Sequence, residues 1–127
     1  MARKFTLHAA ERLKRRKIIE QLFSEGRSVA VFPLRVQYKL YDQVLATPLQ
    51  AGFSASSRQF KKAVDRNRIK RLMREAYRLQ KIPLQEKLQA TQQQLALFFI
   101  YTGKELPEYK TISEKIGVAL KKLESIV

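Results

Sequence analysis

At 127 residues the chain is long enough for one domain around a single core, and a hydrophobic content of 45% argues against wholesale disorder. Its 26 Lys and Arg against 11 Asp and Glu give a formal charge of +15 and a pI near 10.4, the electrostatic footprint of a phosphate-backbone binder. The absence of Cys excludes disulfides and thiolate metal sites, and the longest strongly apolar run, Leu95 to Tyr101, is far too short to span a membrane.

Residues 1–8 lack a signal-peptide core and a small-residue cleavage site, so they read as a loose terminus of a chain that stays in the cytoplasm. Glu11 to Glu25 reads as a helix with Leu13, Ile18, Ile19, Leu22 and Phe23 as core contacts and Gly26 as its stop. Within it Arg12, Lys14, Arg15, Arg16 and Lys17 form a basic cluster. Leu34, Val36, Tyr38 and Leu40 alternate with Arg35, Gln37 and Lys39, the pattern of a half-buried strand. Val29 to Phe32 is either its extension or a separate short strand before Pro33. Asp42 to Pro48 is a connection. Leu49, Ala51, Phe53 and Ala55 then alternate with Gln50, Gly52, Ser54 and Ser56, a second strand whose small, polar face lets a ligand backbone approach closely.

Residues 57–64 form a basic loop, Asp65 is the expected N-cap of the next helix, and Pro83 ends that helix near Lys81. Lys87 to Gln94 is polar and Gln-rich and reads as a connection with at most a helical turn. Leu95 to Tyr101 is a continuous apolar strand, expected to be buried on both faces. Thr111 and Glu114 have capping-box spacing, and Ile112, Ile116, Ala119, Leu120, Leu123 and Val127 follow with helical period. Helix, strands, helix, strand, helix makes an α+β sandwich in one domain.

The most informative segment is the helix after the basic loop. Between Arg58 and Lys81 stand ten Lys or Arg residues against Asp65 and Glu75. At about 100° per residue, Ile69, Leu72, Met73, Ala76 and Tyr77 share one apolar arc, while Asn67, Lys70, Arg71, Arg74, Arg78 and Lys81 share the opposite side. A merely solvated face mixes signs so that Glu and Lys pair at i,i+4; this one concentrates like charge that repels itself until a polyanion neutralises it. Arg dominates, and its planar fork suits bidentate phosphate contacts and stacking on bases.

Hydrolysis of RNA by the protein itself requires converging carboxylates for metal ions or a His pair for acid–base work. His8 is the only histidine, and the Asp and Glu residues are scattered singly. No catalytic or metal-binding residue is assigned, and capping, solubility and surface pairing are the expected duties of the acids.

The run Arg66-Asn67-Arg68-Ile69-Lys70-Arg71-Leu72-Met73-Arg74-Glu75-Ala76-Tyr77-Arg78 resembles the signature helix of the bacterial ribonuclease P protein subunit. Gly52-Phe53-Ser54-Ala55-Ser56 is similar to the family's small-residue strand, and Glu11 through Gly26 to its N-terminal helix; residues 8–102 are covered for the most part. The resemblance implies a ribosomal S5 second-domain-like αβ sandwich: a mixed sheet of three to four strands, three helices, and a left-handed βαβ crossover where physics alone favours a right-handed one. It implies a role in removing the 5′ leader of precursor tRNA, with the catalytic centre and its magnesium ions in a partner RNA and no obligate protein partner. By resemblance Arg66, Asn67, Arg68, Lys70, Arg71 and Arg74 face the catalytic RNA, with Arg58, Lys61, Lys62 and Arg78 as additional contacts. The loop Ser57 to Lys62 departs from the family's Lys-Lys-x-Gly form. The resemblance also implies a cleft for the single-stranded leader between the first helix and the sheet, lined by Phe23, by Ile19 where the family commonly has an aromatic, and by Tyr38, or by Gln37 if the strand is shifted by one residue. Phe53 belongs to the core. The competing reading is a ribosomal or other structural RNA-binding protein with no part in cleavage. A helix-turn-helix DNA binder lacks its positioning helix here, and a free-standing nuclease lacks a site.

Overall fold

The structure, a computed structural model, describes residues 9–41 and 47–127. His8 and most of the connection after the second strand lie outside the described residues. In chain order the elements are α1 (Arg16–Glu25), β1 (Arg27–Val31), β2 (Leu34–Tyr41), β3 (Leu49–Ala55), α2 (Ala63–Gln80), α3 (Ile82–Thr91), β4 (Gln94–Tyr101) and α4 (Tyr109–Ile126). The strands form one mixed sheet in the order β1-β2-β4-β3. β1, β2 and β4 pair antiparallel, whereas β3 and β4 are parallel and are joined by the crossover through α2 and α3.

Strand alternation divides the side chains between two layers. On one face Leu34, Val36, Leu49, Ala51, Leu95, Leu97, Phe99 and Tyr101 pack with Ile69, Met73, Ala76 and Tyr77 of α2, Leu84 and Leu88 of α3, and Ile112, Ile116, Ala119, Leu120 and Leu123 of α4. Phe53 stacks on Phe99 at 5.4 Å and meets Tyr77 edge-on, the core position expected of it. On the other face a smaller cluster of Leu13, Ile18, Leu22, Tyr41 and Ala96 docks α1, with Ile19 and Phe98 against it. At roughly 1.5–3 kcal/mol per buried aliphatic side chain, α1 is held much less firmly than α2 or α4.

Several boundaries differ from the sequence expectations. The first helix begins at Arg16; before it, Ala9–Glu11 form a 3-10 turn and Arg12 makes a parallel bridge to Ala51. A run of basic residues has good helix propensity, yet this segment is recruited to cover the edge of β3, which otherwise leaves its backbone groups unpaired. Gly26 does stop α1, its N–H donating to Leu22 O. Val29 to Phe32 resolves as the separate strand β1, and the turn to β2 carries a cis Phe32–Pro33 bond. α2 starts at Ala63 with Lys62 as its cap residue, so Asp65 sits inside the first turn, where its charge complements the helix dipole. Pro83 follows the end of α2 but occupies the first turn of a fourth helix, α3, where its missing N–H has no intrahelical acceptor. The stretch Lys87 to Gln94 is therefore the end of α3, its cap and the start of β4 rather than a connection, and the described residues hold four α-helices where three were expected. α4 begins at Tyr109, so Thr111 lies within it and forms no cap.

Candidate nucleic-acid interface

α2 has the two faces its periodicity promised. Ile69, Met73, Ala76 and Tyr77 are fully buried, Leu72 is half-buried against the same core, and Asn67, Arg68 and Arg71 are exposed. Gln80 ties the helix to α4, its Nε2 donating to Ser113 O at 3.0 Å. The cationic side chains do not share one role. Arg66 is half-buried and its Nη1 donates to the carbonyls of Phe60 at 2.7 Å and Lys61 at 2.9 Å, bracing the basic loop. Lys70 and Arg74 lie half-buried along one flank. Arg78 is bound to Glu75, with Nε to Oε1 at 3.1 Å; that hydrogen bond holds the Glu75 carboxyl below its usual range and raises the Arg78 guanidinium. Lys81, placed on the cationic stripe by periodicity, is instead buried in an ion pair with Glu11 and belongs to the interior.

The loop before α2 takes its shape without the family's glycine. Ser56 Oγ accepts the N–H of Arg58 at 3.1 Å and Ser56 O accepts that of Phe60 at 3.0 Å, closing a turn. Phe60 is buried against Tyr101, so the loop is pinned at its centre and Arg58, Lys61 and Lys62 project to solvent around it.

The α1 side of the sheet carries an open, chemically mixed surface. Register places Gln37, Phe98 and Gly52 in one row across β2, β4 and β3, and Arg35, Ile100 and Ser54 in the next. Phe23 of α1, 47% exposed, meets Phe98 edge-to-face with centroids 5.3 Å apart. Gly52 makes this possible, because a Cβ there lies 2.5 Å from the Phe98 ring. Beyond Ile100 the surface continues into a groove of ≈ 500 Å³ bounded by Ser56, Ser57, Arg58, Gln59 and Thr102, which leads to the basic loop.

Of the three cleft residues expected from the sequence, Phe23 and Ile19 come together on α1, although Ile19 packs into the second core. Tyr38 does not join them: it points to the opposite face and packs against the main core, so Gln37 takes the row beside Phe98. Phe98 and Ile100, expected to be buried within β4, are only half-buried. The sequence signal for them was the parity of β4 against β2, which a continuous apolar run conceals. Among the described residues no group of three or more His, Cys, Asp or Glu side chains comes together, and no helix is long and apolar enough to cross a membrane.

The family model Ribonuclease P matches residues 7–124. The ribonuclease P protein component of Porphyromonas gingivalis is 39% identical over 116 residues, which cover 91% of this chain and 85% of that protein. That of Chlorobaculum tepidum is 34% identical over 116 residues, covering 84% and 75%. The solved structure of the Staphylococcus aureus RNase P protein superposes with a TM-score of 0.67 at 22% identity, over 90% of this chain and 95% of that one, a likeness of fold. With a family match that spans both layers of the sandwich and relatives of this identity and coverage, the chain belongs to the ribonuclease P protein family.

Proposed function

We propose that this chain is the protein subunit of ribonuclease P, acting in tRNA 5′ maturation by binding the catalytic RNA through α2 and the leader of precursor tRNA across the α1 side of the sheet. The observation that carries this reading is the division of α2 into a fully buried face and an exposed face whose Arg and Lys outnumber its acids. Bringing precursor tRNA against a large folded RNA forces two polyanions together. A basic protein that neutralises phosphates releases condensed counterions and lowers that cost. Asn67, Arg68, Lys70, Arg71 and Arg74 are the groups for the RNA subunit, while Arg66 acts mainly by holding the loop that presents Arg58, Lys61 and Lys62. Phe23 and Phe98 offer faces and edges on which unpaired bases stack, and Gln37, Arg35 and Ser54 offer polar contacts without strong sequence demand.

The cleavage chemistry is assigned to the RNA. The magnesium implied for the holoenzyme finds no donor cluster among the described residues, so no step is assigned to a protein-held ion. Cleavage in the cytoplasm follows from this role. The test is to assay precursor tRNA with the purified protein, with the cognate RNA subunit and magnesium, and with both. Efficient 5′ maturation is expected from the combination and none from protein alone. Metal-dependent cleavage by RNA-free protein, lost on replacing an acidic residue, sinks the assignment, and retention of ribosomal RNA in place of the RNA subunit returns the competing reading.

A further inference from the structure

A short strap joins the two layers of the sandwich. Gln50 Nε2 donates to Ala10 O at 2.9 Å, Leu13 N–H donates to Ala51 O at 2.9 Å, and Arg12 bridges Ala51 in parallel, so residues 10–13 lie along the outer edge of β3. One anchor of the strap is in the thick layer: the Glu11 carboxylate meets the Lys81 ammonium at the C-terminal end of α2, with side chains 5% and 1% exposed. The other anchor is in the thin layer. Leu13 is buried in the cluster that docks α1 and lies over Gly52, where a Cβ would stand 3.6 Å from Leu13 Cβ and 2.5 Å from the Phe98 ring. Leu13 and Phe98 therefore share the floor that this one glycine leaves open.

Only Lys14 and Arg15 separate Leu13 from the start of α1 at Arg16, and α1 has no side-chain cap of its own at Arg15. A link that short, reaching at most ~3.5 Å per residue, passes the position of Leu13 on to the helix. Further along, α1 is held by Ile18 and Leu22 in the same small cluster and by Tyr41 Oη, which donates to Ile18 O at 3.4 Å. Apolar burial is non-directional, so these few contacts do not by themselves fix the height at which Phe23 meets the Phe98 ring, edge-to-face at 5.3 Å. A buried ion pair supplies the missing direction, because a register that separates the two charges leaves each of them out of water and uncompensated. We propose that Glu11 and Lys81 are positioning residues for the leader surface: by locking the strap to the end of α2 they set where α1 begins and hold Phe23 against Phe98 for the stacking of unpaired RNA bases, without touching RNA themselves. This rests on the reading of the α1 side of the sheet as the leader surface.

The experiment compares wild type with Glu11→Gln, Gln50→Met, the charge-swapped Glu11→Lys/Lys81→Glu double variant and, as reference, Phe23→Ala, well below their melting temperatures. Three quantities are read: holoenzyme affinity for precursor tRNA across a leader-length series, affinity of the protein for the RNA subunit, and amide hydrogen exchange at Leu13 and along α2 in the free protein. Glu11→Gln is expected to speed exchange at Leu13 but not along α2, and to cut the affinity gained from a longer leader about fivefold or more, the lower end of the loss from one stacked base. Affinity for the RNA subunit is expected to stay at the wild-type value, and the charge swap to restore both slow exchange and leader dependence. Gln50→Met loosens the strap without stranding a charge and is expected to act in the same sense, so it decides the matter if Glu11→Gln fails to fold. Fast exchange at Leu13 with full leader dependence, while Phe23→Ala loses it, means the strap only covers the edge of β3 and overturns the inference. Unchanged exchange at Leu13 overturns it as well, and so does a parallel loss of RNA-subunit affinity, the mark of general support for the fold. If Phe23→Ala is itself silent, the leader reading of this surface fails and takes the positioning role with it.

Discussion

The Glu11–Lys81 pair is the point where one residue carries the largest structural consequence. Both groups are out of water, so either one left alone is a buried charge without its counterion. Lys81→Met is expected to cost ~3–5 kcal/mol in urea denaturation, whereas the Glu11→Met/Lys81→Met double variant recovers most of it, since apolar groups of similar volume replace such pairs at little cost. A single variant as stable as wild type contradicts the burial of the pair. Nothing in the local sequence signalled the partnership: helical periodicity puts Lys81 with Arg74 and Arg78, and only docking of a segment seventy residues away, as the Lys81–Glu11 contact separates them, turns it inward. Tyr38 shows the complementary failure. Strand parity told that Gln37 and Tyr38 point to opposite faces, but parity alone does not say which face α1 covers; the pairing of α1 with Tyr41, Ala96 and Phe98 decides it.

At the scale of elements, α2 was the most legible part, because its apolar arc and its charges are carried by sequence positions that only a helix separates. Replacing Arg68 or Arg71 by Ala is expected to weaken binding of the RNA subunit and reduce the salt slope by about 1 per removed phosphate contact, while leaving thermal stability unchanged. Leu72→Asp reverses the pattern: the half-buried side chain packs on the core, so a carboxylate there is expected to lower the melting temperature. Unchanged slope in both Arg variants means the exposed face is only solvated. α3 was the least legible element. Its only fully buried residues are Leu84 and Leu88, most of the rest of its surface is polar, and a proline in the first turn mimics a break. Its end is equally quiet, since the left-handed cap position holds Gln92 (φ 56°) where glycine is the usual signal. The first helix was overextended for the opposite reason: residues with ample helix propensity were claimed by the edge of β3, an interaction of tertiary origin.

On the scale of the molecule, the sheet separates two jobs. The thick layer of α2, α3 and α4 supplies stability and presents the cationic face, and the thin layer under α1 leaves Phe23, Phe98, Arg35, Gln37, Ile100 and Ser54 accessible. The two surfaces approach each other at the loop held by Ser56, Phe60 and Arg66, so under the proposed function a strand of RNA on the sheet would meet a positively charged exit toward α2. This separation predicts separable phenotypes. If bases of the leader stack at Phe23 and Phe98, holoenzyme affinity for precursor tRNA should rise as the leader lengthens over several nucleotides, and Phe23→Ala should erode that rise by ~1–3 kcal/mol for the base it contacts. Gly52→Ala should act in the same sense by driving the Phe98 ring from its place, since the added Cβ meets it at 2.5 Å. Tyr38→Ala should do something else: its ring lies on the far side of the sheet, so the loss falls on stability and the leader dependence stays intact. Phe23 is nearly half exposed, so truncating it removes little core packing, and binding of the RNA subunit should not change. The measurement is affinity for a leader-length series with wild type and the three variants, alongside their melting temperatures. Leader dependence that is lost with Tyr38→Ala but kept with a folded Phe23→Ala would put the leader on the opposite face of the sheet.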